Sequence, residues 1–523
     1  MGINYFKIKS WCKDNKYFIA IMLLAAVLLL YRVAARAFWG DEKAVLDYLS
    51  DSPEGFLAAY WKHPDNHPPL YYFLVLLVSK ILPWTELTIR TVSILSGLGI
   101  VWLVYIFTFR VTRDKRMALL AVFFTAFSSY FVLISQMARY HSLAAFSSLL
   151  VFYFFYRLFV EKYNERVWRW YLVAMVLVGY VDYPHFIYVV LFTNFLYFYR
   201  FFRHRPIASI KRWLAGQFFV AVLVMPAIIM LLNRIFIQGD GGFNKTNLLA
   251  NSWVHIVAGI LFHIYSFFFG ENIFPWNYII FSAGLAALAA MAVGLVQALR
   301  KKIWGVPQAF ILLLSSALII MNTFFMNIAD PRYNFIVYPK FGFVAYPLWI
   351  MSFVLCLSGL RSKKVRVVLI LLWAMVEFVG LAHFYQLNNY INASYFNDFK
   401  GYEFVKNNSL AGDLLAINPD LSIGAYNFYK NKYFNKATAV SLSVLPELLN
   451  SKQPVRVWFF ATGSDGDSIY ASVTAADQIP GGFKIVDQLQ SVPADPVLLK
   501  LKQKLIGRQS YVYKYGVYLL TNK

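Results

Sequence analysis

Long apolar stretches separated by short polar segments run through the first three quarters of the chain. A helix needs about 20 apolar residues to cross the hydrocarbon core of a bilayer, and eleven stretches come near this length. They lie at 17–38, 87–109, 117–135, 139–160, 168–182, 184–200, 212–233, 276–299, 306–327, 334–358 and 366–386. The pattern predicts an α-helical polytopic membrane protein with about 11–13 transmembrane helices.

Two further apolar stretches, 67–82 and 252–270, are predicted not to cross the membrane. If either were counted as a crossing, the basic clusters that follow it would fall on the wrong side of the membrane. Each is therefore interpreted as an amphipathic or re-entrant segment that lies in the outer interface.

Basic residues cluster at every second boundary of the predicted spans. The clusters lie within 7–16, 110–116, 157–169, 200–212, 300–302 and 361–366. Cytoplasmic loops of membrane proteins carry an excess of Lys and Arg, so the N-terminus is predicted to be cytoplasmic. Eleven crossings then place the last part of the chain outside the cytoplasm.

Hydropathy falls over about the last 135 residues, and alternating short strands and helices replace the long apolar stretches. Strands are predicted at 413–417, 456–460, 483–487 and 511–520, and helices at 395–407, 422–429 and 445–450. This alternation is typical of a small α/β domain. The predicted organisation is a membrane domain over 1–390 and an extracytoplasmic α/β domain over 391–523.

Composition supports the membrane class. Of the 523 residues 59% are hydrophobic, against about 45–50% in a soluble globular protein, and the mean hydropathy is +0.54. The net charge of +23 is explained by basic cytoplasmic loops, so no nucleic-acid partner is predicted. Membrane lipid is the expected environment of the predicted spans and an expected partner of the protein.

The first predicted outer loop contains two adjacent carboxylates, Asp41 and Glu42. A carboxylate at the mouth of a membrane helix costs free energy unless it has a role. The pair is interpreted as a general base for a hydroxyl or amine nucleophile. A purely structural role remains open, because acidic residues also favour the N-terminus of a helix.

Further polar residues fall at the predicted outer ends of other spans. They are His67, Arg139, Tyr140, His141, Asp182, His185, Arg332 and Tyr333. Arginine binds phosphate through bidentate hydrogen bonds, so this set predicts a site for a lipid phosphate.

Structural alternatives stay open for the same residues. Arg139 could be an interfacial anchor, Arg332 could pair with Asp330 within its loop, and either His141 or His185 could serve packing alone. His255 and His263 are eight residues apart and could face one another as metal ligands, but the absence of a neighbouring Cys or acid favours packing. No metal site is predicted from them.

Five segments together resemble a known family. They are FWGDE at 38–42, HPPLYYF at 67–73, ELTIRTVSILSGL at 86–98, SQMARYHSLAAF at 135–146 and DPRYNFIVYP at 330–339. In order and predicted topology they are similar to the bacterial members of glycosyltransferase family 39. These are GT-C membrane enzymes related to protein O-mannosyltransferases and the lipid A aminoarabinose transferase. The resemblance covers residues 17 to about 386.

The resemblance implies a GT-C fold in the bacterial inner membrane and transfer of a hexose or pentose from a polyprenyl phosphate. The acceptor would be a lipid, a polysaccharide or a protein of the cell envelope. By the same resemblance Asp41 is the catalytic base with Glu42 beside it, and Arg139, Arg332 and Tyr333 bind the carrier. Such enzymes mostly need no divalent cation, although one held by Asp41 and Glu42 is an alternative.

The chain departs from the family pattern at three positions. His67 stands where the lipid A branch has Lys, Met137 where many relatives have Glu, and His141 where others have Asp. Two other functions also fit the residues. One is a transporter or flippase of lipid-linked sugars, and the other is a non-catalytic membrane scaffold with a glycan-binding exported domain.

Overall fold

The fold is described from a computed structural model of the chain. It describes residues 13–49, 53–62, 64–161, 163–204, 207–236, 253–270, 272–329, 339–386, 399–417, 421–441, 453–463, 484–491 and 514–522, and single positions at 444, 447, 448 and 497. The chain forms two compact units. The first comprises Met1–Tyr31, Leu57–Leu74 and Arg90–Ala382, and the second comprises Arg32–Phe56, Val75–Ile89 and His383–Lys523.

Helices make up nearly all of the described chain up to residue 386. They are α1 (Lys16–Leu30), α2 (Gly40–Asp47), α3 (Pro53–Lys62), α4 (Leu70–Ile81), α5 (Glu86–Thr112), α6 (Lys115–Ala126), α7 (Ser129–Ser135), α8 (His141–Val160), α9 (Glu165–Gly179), α10 (Tyr183–Phe202), α11 (Ile210–Phe236), α12 (Trp253–Phe269), α13 (Tyr278–Arg300), α14 (Val306–Ala329), α15 (Tyr346–Gly359) and α16 (Lys363–Tyr385). A 3₁₀ helix, Pro339–Val344, precedes α15.

Six helices of the described residues are long and apolar enough to cross a membrane: α5, α8, α11, α13, α14 and α16. The bent pair α6–α7 raises this number to seven when it is counted as one span. Every predicted span overlaps a helix, but α1 and α15 have 15 and 14 residues, and α9 and α10 fall outside this group. By length and composition, the described helices therefore support six or seven membrane spans, fewer than the 11–13 predicted.

The two apolar stretches predicted to lie in the interface form α4 and α12. Helix α4 has 12 residues, which span about 18 Å at 1.5 Å per residue. That length is too short for the hydrocarbon core of about 30 Å. Neither α4 nor α12 is among the helices long enough to cross, in agreement with the prediction.

The span predicted at 117–135 is broken by a bend of 61° between α6 and α7. Ser128 begins α7 by accepting a hydrogen bond from the Phe131 backbone N–H. The buried Glu377 of α16 accepts hydrogen bonds from the Ser129 N–H at 2.7 Å and from the Ser129 hydroxyl at 2.8 Å. These bonds satisfy a backbone donor that the break would otherwise leave unpaired in an apolar environment.

The end of α7 is tied to the end of α1 by one side chain. Gln136 Nε2 donates to the carbonyl oxygens of Leu28, Leu29 and Tyr31 at 3.2, 3.0 and 3.1 Å. The last carbonyls of a helix have no partner within the helix. The amide of Gln136 supplies one, and it fixes the segment that leads to Arg139.

The second unit contains a five-stranded sheet of order β2-β1-β3-β5-β4. Its strands are β1 (Asp413–Ile417), β2 (Ala437–Ser441), β3 (Arg456–Gly463), β4 (Lys484–Ser491) and β5 (Lys514–Thr521), with helices α17 (Phe399–Asn408) and α18 (Ile423–Tyr433). Strands β1, β2 and β3 pair in parallel, and β5 pairs antiparallel with β3 and β4. Its core contains Ala416, Val457, Tyr518 and Leu520.

The sheet agrees with the sequence prediction at β1, whose bounds are those expected, and at β3, β4 and β5 within a few residues. Strand β2 was not predicted. Most of the helix predicted at 445–450 lies outside the described residues. Two segments that precede α5, 32–56 and 75–89, also belong to this unit, which sequence reasoning did not anticipate.

A buried carboxylate on β1 joins this strand to β3. Asp413 accepts hydrogen bonds from Arg456 Nε and from Trp458 Nε1, both at 2.8 Å, and from the Leu410 backbone N–H at 3.0 Å. Asp413 is 3% exposed. A buried charge is tolerated when it is paired and hydrogen-bonded in this way.

We expect Asp413→Ala to destabilise the second unit by about 3 kcal/mol, because it leaves a buried indole N–H and a guanidinium without their acceptor. Hydrogen exchange measured by mass spectrometry on β1 and β3 reports the loss. Thr438→Ala at an exposed position of β2 is the matched control. Equal protection of β3 in both variants would contradict this role of Asp413.

Candidate active site

Four loops or helix ends of the first unit bring polar side chains together. They are the loop before α4 with Asp65 and His67, the turn between α7 and α8 with Arg139 to His141, the turn between α9 and α10 with Asp182, and the 3₁₀ helix with Lys340. We call Asp65, His67, Tyr72, Arg139, Tyr140, His141, Asp182, His185 and Lys340 the polar cluster.

Asp182 joins two histidines of the polar cluster. Its Oδ1 lies 2.9 Å from His67 Nδ1, and its Oδ2 contacts His185 Nδ1 and accepts from the His185 backbone N–H at 3.1 Å. The last bond caps the N-terminus of α10. The Asp182 side chain is 1% exposed, and both of its oxygens have partners. Because His67 and His185 both contact Asp182 through Nδ1, the other nitrogen of each ring is not used in this contact.

Asp65 joins the loop before α4 to Arg139. Tyr72 donates its hydroxyl proton to Asp65 Oδ2, Arg139 Nη1 donates to the Tyr72 hydroxyl at 3.0 Å, and Arg139 Nη1 lies 3.7 Å from Asp65 Oδ2. Burial raises the pKa of Asp65, but Arg139, His67 and the Tyr72 hydroxyl together hold this pKa below its ordinary value. Asp65 is therefore ionised at neutral pH.

The Tyr140 ring lies against both His67 and His141. The His67 ring lies 3.8 Å from the Tyr140 ring, which lies 4.3 Å from the His141 ring. The Arg139 guanidinium lies 5.5 Å from the Tyr140 ring centre, a cation–π distance. Ser93 also donates to the Arg139 carbonyl at 3.0 Å. The turn that carries Arg139 is thus fixed by both backbone and side-chain contacts.

His141 has a buried ring with no hydrogen-bond partner in the described part of the chain. The residue is 3% exposed, and neither ring nitrogen has a hydrogen-bond partner among the described residues. His185 Nε2 is likewise buried without a partner in the described part of the chain. Lys340, Arg139 and His67 all act electrostatically on His141. Buried polar atoms are almost always hydrogen-bonded, so these nitrogens indicate a place for a ligand.

Asp41 and Glu42 lie in the second unit, at the start of α2. Glu42 is buried, and its Oε2 accepts a hydrogen bond from the Trp39 backbone N–H at 3.2 Å. The capping alternative therefore holds for Glu42. Asp41 is partly exposed, and a Cβ built on the neighbouring Gly40 would meet nothing within 4 Å.

The structure brings together six of the predicted site residues: His67, Arg139, Tyr140, His141, Asp182 and His185. Arg332 and Tyr333 lie outside the described residues. Asp65 and Lys340 fall on the predicted outer side of the chain but, like Tyr72, were not among the predicted site residues. Asp65 is two residues before the HPPLYYF segment and Lys340 directly follows DPRYNFIVYP, so proximity to these motifs was the available signal.

His263 is buried and makes hydrogen-bond contacts within the first unit. Its Nδ1 lies 2.8 Å from the Gly259 carbonyl oxygen and its Nε2 lies 3.1 Å from Asn322 Nδ2. Within the described residues there is no group of three or more His, Cys, Asp or Glu side chains that could hold a metal ion.

Part of the chain that contains most of the polar cluster matches a known family model. Residues 66–230 match the family model described as dolichyl-phosphate-mannose-protein mannosyltransferase, and this range contains the polar cluster except Asp65 and Lys340. Comparison with curated proteins gave no match.

Two solved structures of ArnT share the fold over nearly the whole chain. ArnT from Cupriavidus metallidurans bound to undecaprenyl phosphate is 11% identical, with a TM-score of 0.60 over 97% of this chain and 98% of that one. Its apo state gives a TM-score of 0.57 over 98% of each chain. An oligosaccharyltransferase, AglB from Archaeoglobus fulgidus, is 13% identical with a TM-score of 0.41 over 82% of this chain and 65% of that one.

The chain thus has the GT-C fold of a multi-pass membrane protein, the fold that the resemblance of its motifs implies.

We expect Asp65→Asn to lower thermal stability at pH 7, by about 1–3 kcal/mol, through loss of a charge-assisted contact. Because the folded pKa of Asp65 is depressed, its stabilisation is complete above the unfolded value of about 3.9 and disappears as the pH falls below it. Thermal unfolding of the purified protein should therefore show a difference at pH 7 that narrows below about pH 4. Glu403→Gln, at an exposed position of α17, should show no such convergence, and a pH-independent effect of Asp65→Asn would contradict the ionised state.

Proposed function

We propose that the protein is a membrane glycosyltransferase that transfers a sugar from a polyprenyl phosphate to an acceptor of the cell envelope at the extracytoplasmic face. The matched family model supports the reaction class. The fold shared with ArnT, which was solved with undecaprenyl phosphate, supports a carrier of this chemical type.

The polar cluster is proposed to bind the phosphate of the carrier. The observation that carries this proposal is the buried His141 ring, whose two nitrogens lack partners among the described residues while Arg139 and Lys340 act on it. Cationic and neutral N–H donors suit a phosphate. Asp65 and Asp182 orient these donors, because each holds the side chain of a neighbouring loop. Arg332 and Tyr333 are proposed as further carrier contacts on the strength of the resemblance.

Asp41 is proposed as the general base. Its carboxylate takes the proton of an acceptor hydroxyl as the oxygen attacks the anomeric carbon of the sugar. The bond between that carbon and the phosphate oxygen breaks, and the electron pair leaves with the polyprenyl phosphate. The attack inverts the anomeric carbon, and the Arg and His donors stabilise the phosphate that departs.

Asp41 suits this role better than Glu42. The Glu42 carboxylate is buried and bonded to the Trp39 N–H, whereas Asp41 is partly exposed beside the open surface at Gly40. A base has to reach the proton it removes. Glu42 is proposed to act indirectly, because it completes the first turn of the helix that carries Asp41.

Mass spectrometry of glycolipids and envelope glycans in a deletion strain tests the proposal as a whole. A glycosyltransferase predicts an accumulated carrier-linked sugar and the loss of one sugar from an envelope component. A flippase predicts that the carrier-linked sugar accumulates only on the cytoplasmic face. A scaffold predicts that neither changes, and either of these last two outcomes would contradict the proposal.

We expect Asp41→Asn to abolish transfer while carrier binding is retained, because the amide keeps the shape of the carboxyl group but does not accept a proton. The fall in kcat should be at least about 100-fold, the lower range for general base catalysis. Steady-state transfer and equilibrium carrier binding on the purified protein measure both effects. Glu403→Gln is the control, and wild-type turnover by Asp41→Asn would refute the base assignment.

We expect His141→Phe to weaken carrier affinity about tenfold or more, since one hydrogen bond to a charged group is worth about 1.5–3 kcal/mol. The ring nitrogens have no partner in the described part of the chain, so folding should not suffer. Carrier binding and the melting temperature are measured together. Ser148→Ala, two turns along the same helix, is the control. An unchanged dissociation constant for His141→Phe would remove this ring from the site.

A further inference from the structure

The helix that carries Asp41 is too short to be stable on its own. Helix α2 has eight residues, whereas isolated helices below about 12–15 residues are marginal in water. Its buried side chains Val45 and Leu46 and its place in the second unit indicate that tertiary contacts hold it. Those contacts come from helix α18 of the C-terminal segment.

The first contact lies just before α2. The Tyr429 hydroxyl of α18 accepts a hydrogen bond from the Phe38 backbone N–H at 3.4 Å. The Phe38 ring is fully buried and lies 5.2 Å from the Phe428 ring, at an interplanar angle of 82°. This edge-to-face pair and the hydrogen bond fix the chain three residues before Asp41.

The second contact lies at the last residue of α2. Asp47 Oδ1 accepts a hydrogen bond from the Gly424 backbone N–H at 2.8 Å, in the first turn of α18, where an acidic side chain is favoured by the helix dipole. The two backbones approach so closely that a Cβ on Gly424 would lie 2.5 Å from the Leu46 carbonyl carbon and 2.6 Å from the Asp47 nitrogen. Glycine is the residue that this approach requires.

We infer that α18, and with it the C-terminal α/β segment, positions the Asp41 carboxylate for catalysis. The inference rests on the proposed role of Asp41 and extends it to the other end of the chain. Asp47, Gly424 and Tyr429 are positioning residues, because they touch α2 or its approach and not the reacting atoms. The α/β segment is then a component of the catalytic machinery, beyond any part it has in acceptor choice.

A positioning role predicts a particular kinetic pattern. Loosening α2 displaces the base, and a displacement of about 1 Å is sufficient to cost up to about 100-fold in rate. The residues proposed to bind the carrier phosphate lie on other elements, in the first unit. Variants at the α2–α18 contact should therefore lower kcat and leave carrier affinity unchanged.

The experiment uses the full-length protein purified in lipid nanodiscs. Asp47→Ala removes the hydrogen-bond acceptor, and Gly424→Ala forces the two backbones apart although alanine favours helix. Asp47→Asn retains an oxygen that accepts from Gly424 and is the rescue variant. Asn427→Ala, exposed on the same helix, is the matched control, and Asp41→Asn tests the underlying base assignment separately.

Three readouts are taken for each variant: kcat, the dissociation constant for a polyprenyl phosphate, and hydrogen exchange of peptides over 38–47. We expect Asp47→Ala and Gly424→Ala to lower kcat at least about tenfold, with faster exchange over 38–47 and carrier binding within about twofold of wild type. Asp47→Asn should recover most of the activity. Asn427→Ala should match wild type in all three readouts.

The outcomes distinguish failure of the base assignment from failure of the positioning role. If Asp41→Asn is inactive but Asp47→Ala and Gly424→Ala retain wild-type kcat, the base assignment stands and the positioning role is refuted. Loss of carrier binding in the α18 variants also refutes it, since that result indicates general misfolding. Wild-type activity of Asp41→Asn refutes the base, and the positioning of a base is refuted with it.

Discussion

The polar cluster depends on one buried carboxylate that is shared between two histidines. Asp182 bonds to His67 from the loop before α4 and to His185 on α10, and it caps α10 as well. An ionised carboxylate is expensive to bury unless its oxygens are satisfied, and these contacts join the loop before α4 to the start of α10. The orientation of both imidazole rings follows from this requirement, as does the direction in which the second nitrogen of each ring points.

Two kinds of constraint act on the proposed reaction, and each belongs to a different unit. In the first unit, paired charges such as Asp65 with Arg139 hold donors that would otherwise move freely in loops. In the second unit, a helix of eight residues keeps its shape through contacts at both ends. Both arrangements hold the groups proposed to react in place, and groups positioned before substrate binds lower a reaction barrier.

The sequence predicted most of the helices and strands, because apolar length and alternation are local properties of a segment. Histidines and acids such as His67, Asp182 and His185 were selected because topology places them at one level. Their actual partners could not be predicted, since contacts among four separate loops depend on packing. The break before Ser129 was missed because no Pro or Gly marks it in the sequence, and the carboxylate that satisfies it lies 248 residues away. Strand β2 was missed because its short run of Ala, Thr, Val and Ser residues carries a weak pattern.

The carboxyl group of Glu377 has a consequence for how this protein tolerates change. The group lies in an apolar interior and binds Ser129 at the bend between α6 and α7, and Gly270 and Gly380 leave just enough room for that serine. A substitution at Glu377, Ser129, Gly270 or Gly380 would disturb the contacts of the other three residues. We therefore expect substitutions at these positions to be tolerated in combination rather than singly. The sequence of the bent span should then change more slowly than the sequences of the loops.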